Sequence, residues 1–330
     1  NFWRKSKTPW LIKKNKIKTR LNLKTNNKNV LVVGGTGFLG HHICKKLIIQ
    51  KYKVFSLSSK RPNKNRLVKG VKYIVADIRS KNKLKILDQK EINHVINLAG
   101  YIDHSGNKKN LKTHFNGTKN LVNKFLKKDL KVFIQAGTCL ENGKISSPQN
   151  ESKKEKPAGK YGKSKLKASL YLEKIGKKFD FPYVVLRIYQ IYGPNQNTNR
   201  LIPFVILSCL KKIKFPCTYG KQIRDFLYVD DFVNLILKIL KSKKKIKGIF
   251  NVGSTKPIKI KTLIGTIKRK VGKGIPLYGK VAMRKDEQML LYPDTKKIRT
   301  AINWRAKFSL STGINKTIEF YKKFLNKNKK

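Results

Sequence analysis

Val30-Leu31-Val32-Val33-Gly34-Gly35-Thr36-Gly37-Phe38-Leu39-Gly40 is an apolar, β-branched run that stops at a cluster of glycines. Apolar Ile43, Leu47 and Ile48 follow in a helix-like stretch. Strand, tight turn and helix form the context in which a glycine fingerprint signals dinucleotide binding. Gly35, Gly37 and Gly40 satisfy G-x-G-x-x-G, and Gly34, Gly37 and Gly40 also satisfy G-x-x-G-x-x-G. A Cβ at such positions would hold the backbone off a pyrophosphate, and some of them need φ > 0. The helix that starts at Phe38 aims its free N–H groups and positive dipole end at the phosphates.

In this kind of fold an acidic residue about 20 positions past the glycines receives the adenosine ribose hydroxyls of NAD. Here Val54-Phe55-Ser56-Leu57 runs into Ser58-Ser59-Lys60-Arg61, with no carboxylate. Ser58, Lys60 and Arg61 are suited to a 2′-phosphate instead. NADP(H) is therefore favoured, with NAD(H) as the alternative.

A second signal is Tyr161-Gly162-Lys163-Ser164-Lys165. A Tyr and a Lys four apart on a helix share one face. An unperturbed Tyr has a pKa of about 10 and carries protons poorly at neutral pH. A nearby ammonium and the positive charge of an oxidised nicotinamide would lower that value.

Further short motifs occur in order: Asn97-Leu98-Ala99-Gly100, Asn116-Gly117-Thr118, Arg187 with Tyr192-Gly193-Pro194, Arg224-Asp225-Phe226-Leu227-Tyr228-Val229-Asp230-Asp231, and Phe250-Asn251-Val252-Gly253. With the glycines and Tyr161/Lys165, this series resembles the extended short-chain dehydrogenases/reductases of the NAD(P)-dependent nucleotide-sugar epimerase/dehydratase group, over roughly residues 30–322.

The resemblance implies a catalytic trio of Thr138, Tyr161 and Lys165. Thr138 lies five residues before Gly143 in Gln135-Ala136-Gly137-Thr138-Cys139-Leu140-Glu141-Asn142-Gly143. It also implies cofactor contacts from Gly34, Gly37, Phe38, Leu39, Gly40, Leu98, Ala99 and Gly100, with Asp77 and Ile78 at the adenine. For the substrate's diphosphate it implies Arg224 and Arg284, with Arg200 a further candidate. Gln190 stands where relatives usually place Asn, beside the sugar. The related 4,6-dehydratases carry an Asp-Glu pair directly after the Thr; here those places are Cys139 and Leu140. Without that acid and base, dehydration is disfavoured. What remains is hydride transfer at C4 of a nucleotide-linked sugar, with 4-ketoreduction favoured and 4-epimerisation on tightly held NAD as the alternative. A reading of another class is a non-catalytic dinucleotide-binding or polyanion-binding protein.

Composition bounds these readings. The 330 residues can bury a large core. Lys and Arg number 78 against 17 Asp and Glu, a formal charge of +61. The basic residues are scattered through every segment without a zinc pattern or RNA-binding signature. The charge therefore reads as a coding bias on solvated surfaces, with salt-sensitive, non-specific polyanion binding as its consequence and no specific nucleic-acid partner. The four cysteines form no C-x-x-C pair, which fits a reducing cytoplasm and gives no metal site. No apolar run approaches the roughly 18 residues of a membrane span.

The periodicity predicts strands near 30–33, 53–57, 72–76, 94–98, 131–136 and 183–188, and helices at 38–50, 81–90, 113–128 and 161–179. This is an α/β chain with a Rossmann doubly wound parallel sheet over 30–189. Residues 190–330 form a smaller C-terminal α/β, mainly substrate-binding part, with helices near 201–212, 230–242, 260–271 and 312–325. A strand near 249–252 rejoins the first sheet, so segments near 228–252 return to the first domain. Residues 1–29 form a basic N-terminal tail, and the chain begins at Asn1, as a fragment or processed product would. A homodimer is expected through the two helices that carry Phe115, Leu121, Val122, Phe125, Leu126 and Leu166, Leu170, Ile175.

Overall fold

The computed structural model describes residues 28–100, 112–157, 159–284 and 287–327. The expected tail lies outside them except for Lys28 and Asn29. The first half supplies β1 (Asn29–Val33), α1 (Phe38–Ile49), β2 (Lys53–Ser58), β3 (Lys72–Val75), β4 (His94–Asn97), α2 (Gly117–Phe125), β5 (Val132–Thr138), α3 (Gly159–Phe179) and β6 (Tyr183–Ile188). The second supplies β7 (Gln190–Tyr192), α4 (Leu201–Leu210), β8 (Lys214–Cys217), β9 (Ile223–Tyr228), α5 (Val229–Lys241), β10 (Gly248–Val252), β11 (Pro257–Lys259), α6 (Ile260–Val271), β12 (Ile275–Tyr278), β13 (Leu290–Leu291), α7 (Lys296–Ile302) and α8 (Leu310–Lys327).

Seven strands form one parallel sheet in the order β10-β6-β5-β4-β1-β2-β3. The apolar run that opens the chain's fingerprint is β1, near the middle of this sheet. Its side chains alternate between two cores, as period-two geometry requires. Val30 and Val32 join Ile43, Leu47, Leu235 and Ile239 on one face. Leu31 and Val33 join Leu121, Val122, Phe125 and Leu172 on the other. Both faces are covered, which explains why the strand reads as a continuous apolar stretch. The strand order reverses between β1 and β4, and ligands in such sheets sit outside the carboxyl ends of the strands at that switch.

β10 pairs with β6 in parallel register, and α5 packs on α1. β10 and α5 thus pack with the main sheet and its first helix. The rest of the second half builds two small sheets, one around β9 and one of β8 with β12. Three of these short strands carry charged or proline residues at positions that propensity alone reads as loop: Arg224 and Asp225 in β9, Pro216 in β8 and Pro257 in β11.

Two helices are shorter than their periodicity implied. Residues 81–90 give only a 3-10 turn, Asn82–Leu87, with Leu84 and Leu87 buried. The 113–128 segment is a π turn, Lys112–Asn116, running into α2. The expected dimer surface is also smaller. Leu121, Val122, Phe125 and Ile175 are buried in the chain's own core, because α2 and α3 cover the sheet with those faces.

Candidate functional site

The chain leaves β1 at Gly34, whose φ is +79°. That left-handed conformation favours glycine. Gly34 N–H donates to the Leu57 carbonyl at 2.7 Å, and Gly37 N–H to the Gly34 carbonyl at 3.0 Å. At Gly40 a Cβ would stand 2.4 Å from the Gly34 oxygen and 2.5 Å from the Gly35 Cα. The first turn of α1 therefore rests directly on the loop, and its N-terminus opens on a cleft of about 690 Å³.

That cleft brings most of the expected residues together. Gly34, Gly37, Phe38, Leu39, Gly40, Leu98 and Gly100 line it with Thr138, Tyr161, Lys165, Gln190, Arg200, Arg224 and Arg284. A second cavity of about 210 Å³ continues it past Gly34 and Gly37. Ser58, Ser59, Asp77, Ile78, Arg79, Ala99 and Gly100 line that end.

Lys60 and Arg61 follow Ser59 in the chain. Both are exposed, and neither lines the second cavity. The Ser58 hydroxyl accepts the Thr36 N–H at 3.4 Å. Among the described residues, the cation that lines this end is Arg79. Its Nε donates to both Asp77 oxygens at 2.8 and 3.0 Å, and its guanidinium holds the Asp77 carboxyl below the usual range.

At the other end, Thr138 closes β5 and Tyr161 lies in the first turn of α3. The Thr138 hydroxyl accepts the Leu140 N–H at 3.4 Å and shares the cleft with Tyr161. Lys165 sits one turn beyond Tyr161, buried, and donates to the Ala136 carbonyl at 2.9 Å. Desolvation brings its pKa down to about 8, against the opposing pull of Glu141. Tyr161 differs from expectation. Burial, then Cys139 and Glu141, push its phenol above the ordinary value, and the neighbouring Thr138 hydroxyl and Arg200 only partly offset them. The protein's own groups therefore leave Tyr161 a proton-holding phenol. Cys139 is buried beside it with its thiol pushed up to about 11 by desolvation.

Arg224 is nearly buried, donates to the Ile223 and Met289 carbonyls at 2.8 and 3.3 Å, and pairs with Glu287. Gln288 reaches back to the Gly143 carbonyl at 2.6 Å, so this segment closes one side of the cleft. Lys285 and Asp286 lie outside the described residues. Arg284 is exposed, and Arg200 precedes α4.

Several residues at the site were not singled out from the sequence. His114, in the π turn, packs edge-on to Tyr161 with ring centroids 5.2 Å apart, and its Nδ1 lies 2.9 Å from the Ser164 hydroxyl. Nothing in the one-dimensional pattern marks it, because a π turn has no sequence period. Glu141 is different. Thr138-Cys139-Leu140-Glu141 has the T-x-x-E form of a capping box, and the structure makes both of its hydrogen bonds. Among the described residues no three His, Cys, Asp or Glu are grouped to hold a metal ion. No described helix is long and apolar enough to cross a membrane.

A glycine cradle thus opens on a cleft that runs to half-buried Tyr161 and buried Lys165, with a second cavity beyond the cradle. The model of the NAD dependent epimerase/dehydratase family matches residues 30–253. The chain belongs to this family. A putative UDP-glucose 4-epimerase of Methanocaldococcus jannaschii is 28% identical over 305 residues, covering 89% of this chain and 98% of that protein. A CDP-abequose synthase of Salmonella muenchen is 27% identical over 300 residues, covering 88% and 97%. The solved UDP-glucose 4-epimerase of Thermotoga maritima with UDP-glucose superposes with a TM-score of 0.84 at 25% identity, covering 90% of this chain and 99% of that one. For an epimerase/dehydratase family member the glycine loop is the expected seat of NAD, and the residues present fit it: a side chain at Gly40 would push the first turn of α1 off that loop.

Proposed function

We propose that this protein transfers hydride at C4 of a nucleotide-linked sugar, with reduction of a 4-keto sugar favoured. The observation that carries the reading is that Thr138, Tyr161 and Lys165 line the one cleft that the glycine loop opens. When bound, the nicotinamide donates or accepts the hydride. Tyr161 gives its proton to the C4 oxygen in reduction and takes it in oxidation, Thr138 orients that oxygen, and Lys165 binds the nicotinamide ribose. The intact trio argues against a binding protein that has lost its chemistry.

The cleft offers Arg200, Arg224 and Arg284 to a diphosphate, and guanidinium forks suit phosphate oxygens. Gln190 lines the same cleft, on the sugar side. Cys139 and Leu140 give no acid–base pair for expelling a hydroxyl, which supports oxidoreduction without dehydration. The missing carboxylate after β2 supports NADP(H), with Arg79 the cation that faces the adenosine end. In this reading residues 30–189, with the returning segments, hold the cofactor and the small sheets after 190 hold the substrate. The protein acts in the cytoplasm as a homodimer.

A second reading, 4-epimerisation on tightly held NAD, is favoured by the likeness to the two UDP-glucose 4-epimerases. Both reactions use the same trio. The test is to titrate the protein with NADPH and NADH by fluorescence, then incubate it with UDP-, dTDP- and CDP-linked sugars and their 4-keto forms. Consumption of NADPH with a 4-keto sugar is the expected result. Interconversion of C4 epimers without net cofactor change establishes the second reading. Failure to bind either dinucleotide overturns both.

A further inference from the structure

Directly beneath Thr138 lies a charged network that the proposed chemistry does not use. Glu141 is fully buried and so is Arg187. One Glu141 oxygen, Oε1, accepts the Thr138 N–H at 2.8 Å. The other, Oε2, accepts the Ser169 hydroxyl at 2.7 Å and the Arg187 Nε at 3.2 Å. Arg187 continues to Asn142 Oδ1 and Glu155 Oε1, each at 2.6 Å. A capping box alone requires only the first of these bonds. It needs neither full burial nor a buried cation, and burying an ion pair carries a desolvation cost that apolar residues would avoid.

What the network joins gives it a purpose. Thr138 ends β5, Ser169 lies on α3 one turn beyond Lys165, and Arg187 lies on β6. The Ser169 hydroxyl also reaches the Lys165 carbonyl at 3.3 Å. Gly137 leaves room for the carboxylate, since a Cβ there would stand 2.6 Å from Oε1. Gly162 lets the turn after Thr138 touch the first turn of α3, where a Cβ would meet the Leu140 carbonyl at 2.6 Å. Strand end, turn and helix are thus fixed to one another around a single carboxylate.

We propose that Glu141 is the positioning residue of this site, the anchor that holds Thr138 on β5 against Tyr161 and Lys165 on α3. The inference rests on the trio assigned above. Glu141 touches neither substrate nor cofactor and acts through Thr138 and α3. It also places a negative charge near both proton-handling groups, raising the pKa of Tyr161 and of Lys165. Among the described residues, the other titratable groups facing the site are Cys139 from the same turn, His114 from the π turn, Tyr189 beyond β6, Arg200 before α4, Arg224 on β9, and Arg187 on β6 with Glu155 behind it.

The test compares Glu141→Gln with Glu141→Asp in the full chain. Glu141→Gln keeps the shape and removes the charge, and Arg187 retains Glu155 as its counter-ion. Glu141→Asp keeps the charge and shortens the reach. Lysine labelled with ¹³C at Cε gives a resonance titrating near pH 8, identified as Lys165 by its loss in Lys165→Met. It should titrate at lower pH in Glu141→Gln and hold its midpoint in Glu141→Asp. Turnover on the nucleotide sugar that the wild type uses should fall about tenfold to a hundredfold in kcat in both variants, with KM nearly unchanged, the scale of a small misplacement of reacting groups. If Glu141→Gln does not fold, Ser169→Ala serves: kcat falls with KM held. An unmoved Lys165 midpoint in Glu141→Gln, or a wild-type kcat in any folded variant, overturns the inference. Wild-type turnover in Tyr161→Phe instead overturns the trio on which it rests, so the two failures are told apart.

Discussion

Lys165 donates its ammonium to the Ala136 carbonyl at 2.9 Å, two residues before Thr138 on the same strand. The buried cation is thus bonded to backbone, and no carboxylate forms an ion pair with it among the described residues. This arrangement fixes α3 against β5, and its cost in solvation is what brings the Lys165 pKa down to about 8.

That shift has a consequence for stability. The folded value lies below the ordinary lysine value of 10.5, so the unfolded chain holds the proton more tightly. The penalty for the buried charge is complete below about pH 8 and fades as pH rises from there towards 10.5. Lys165→Met removes the penalty. It should melt at a higher temperature than the parent at pH 7, and the difference should narrow steadily between pH 8 and 10. A difference that is constant across that range would show that Lys165 is not a buried cation.

Tyr161→Phe should abolish most turnover and leave dinucleotide affinity close to wild type. The phenyl ring can keep the edge contact with His114, so the loss falls on the hydroxyl. General acid–base groups contribute about 10²–10⁴-fold, and the fall in kcat should lie in that range. Stopped-flow rates with the nucleotide sugar, set beside NADPH fluorescence titration, check both halves of the expectation.

The glycine run and Tyr161/Lys165 were legible because each is a local pattern with one structural meaning. Six parallel strands, and the returning strand at Gly248–Val252, were legible for the same reason: buried strands of parallel sheets are apolar and β-branched. For the 2′-phosphate candidates Lys60 and Arg61, proximity in sequence to Ser58 does not fix where their side chains lie relative to the cavity. Arg79 was invisible for the converse reason, since it reaches the same cavity from the end of β3. Glu141 carried a capping signature, but only the tertiary fold reveals that Ser169 and Arg187 meet it.

Arg79 and Ser58 decide cofactor choice if the adenosine end takes a 2′-phosphate. Arg79→Ala should weaken NADPH binding about tenfold or more, the scale of one charge-assisted hydrogen bond, while NADH changes little. Ser58→Asp should shift preference towards NADH by repelling the phosphate. Isothermal titration with both cofactors separates the effects. Tighter binding of NADH than NADPH by the unmodified protein would overturn the NADP(H) assignment.

The homodimer prediction now rests on fewer residues. Leu121, Val122, Phe125 and Ile175 are spent on the chain's own core, which leaves Phe115, Leu126, Leu166 and Leu170 facing outward or half-buried. Leu170 is 46% exposed. Phe115 is half-covered by Tyr171, with ring centroids 5.9 Å apart, and by the Lys167 ammonium 4.6 Å from its ring. Two copies of a chain at +61 repel. At physiological salt the Debye length is about 8 Å, so contacts at short range can outweigh that repulsion. At ~0.01 M salt the screening length grows to about 30 Å and the balance shifts towards monomers. Sedimentation velocity should show a dimer at micromolar concentration in ordinary salt that loosens as salt is withdrawn. Leu170→Lys should be monomeric in ordinary salt, because it places an ammonium in the centre of the apolar patch. A wild-type monomer under those conditions would rule out this interface.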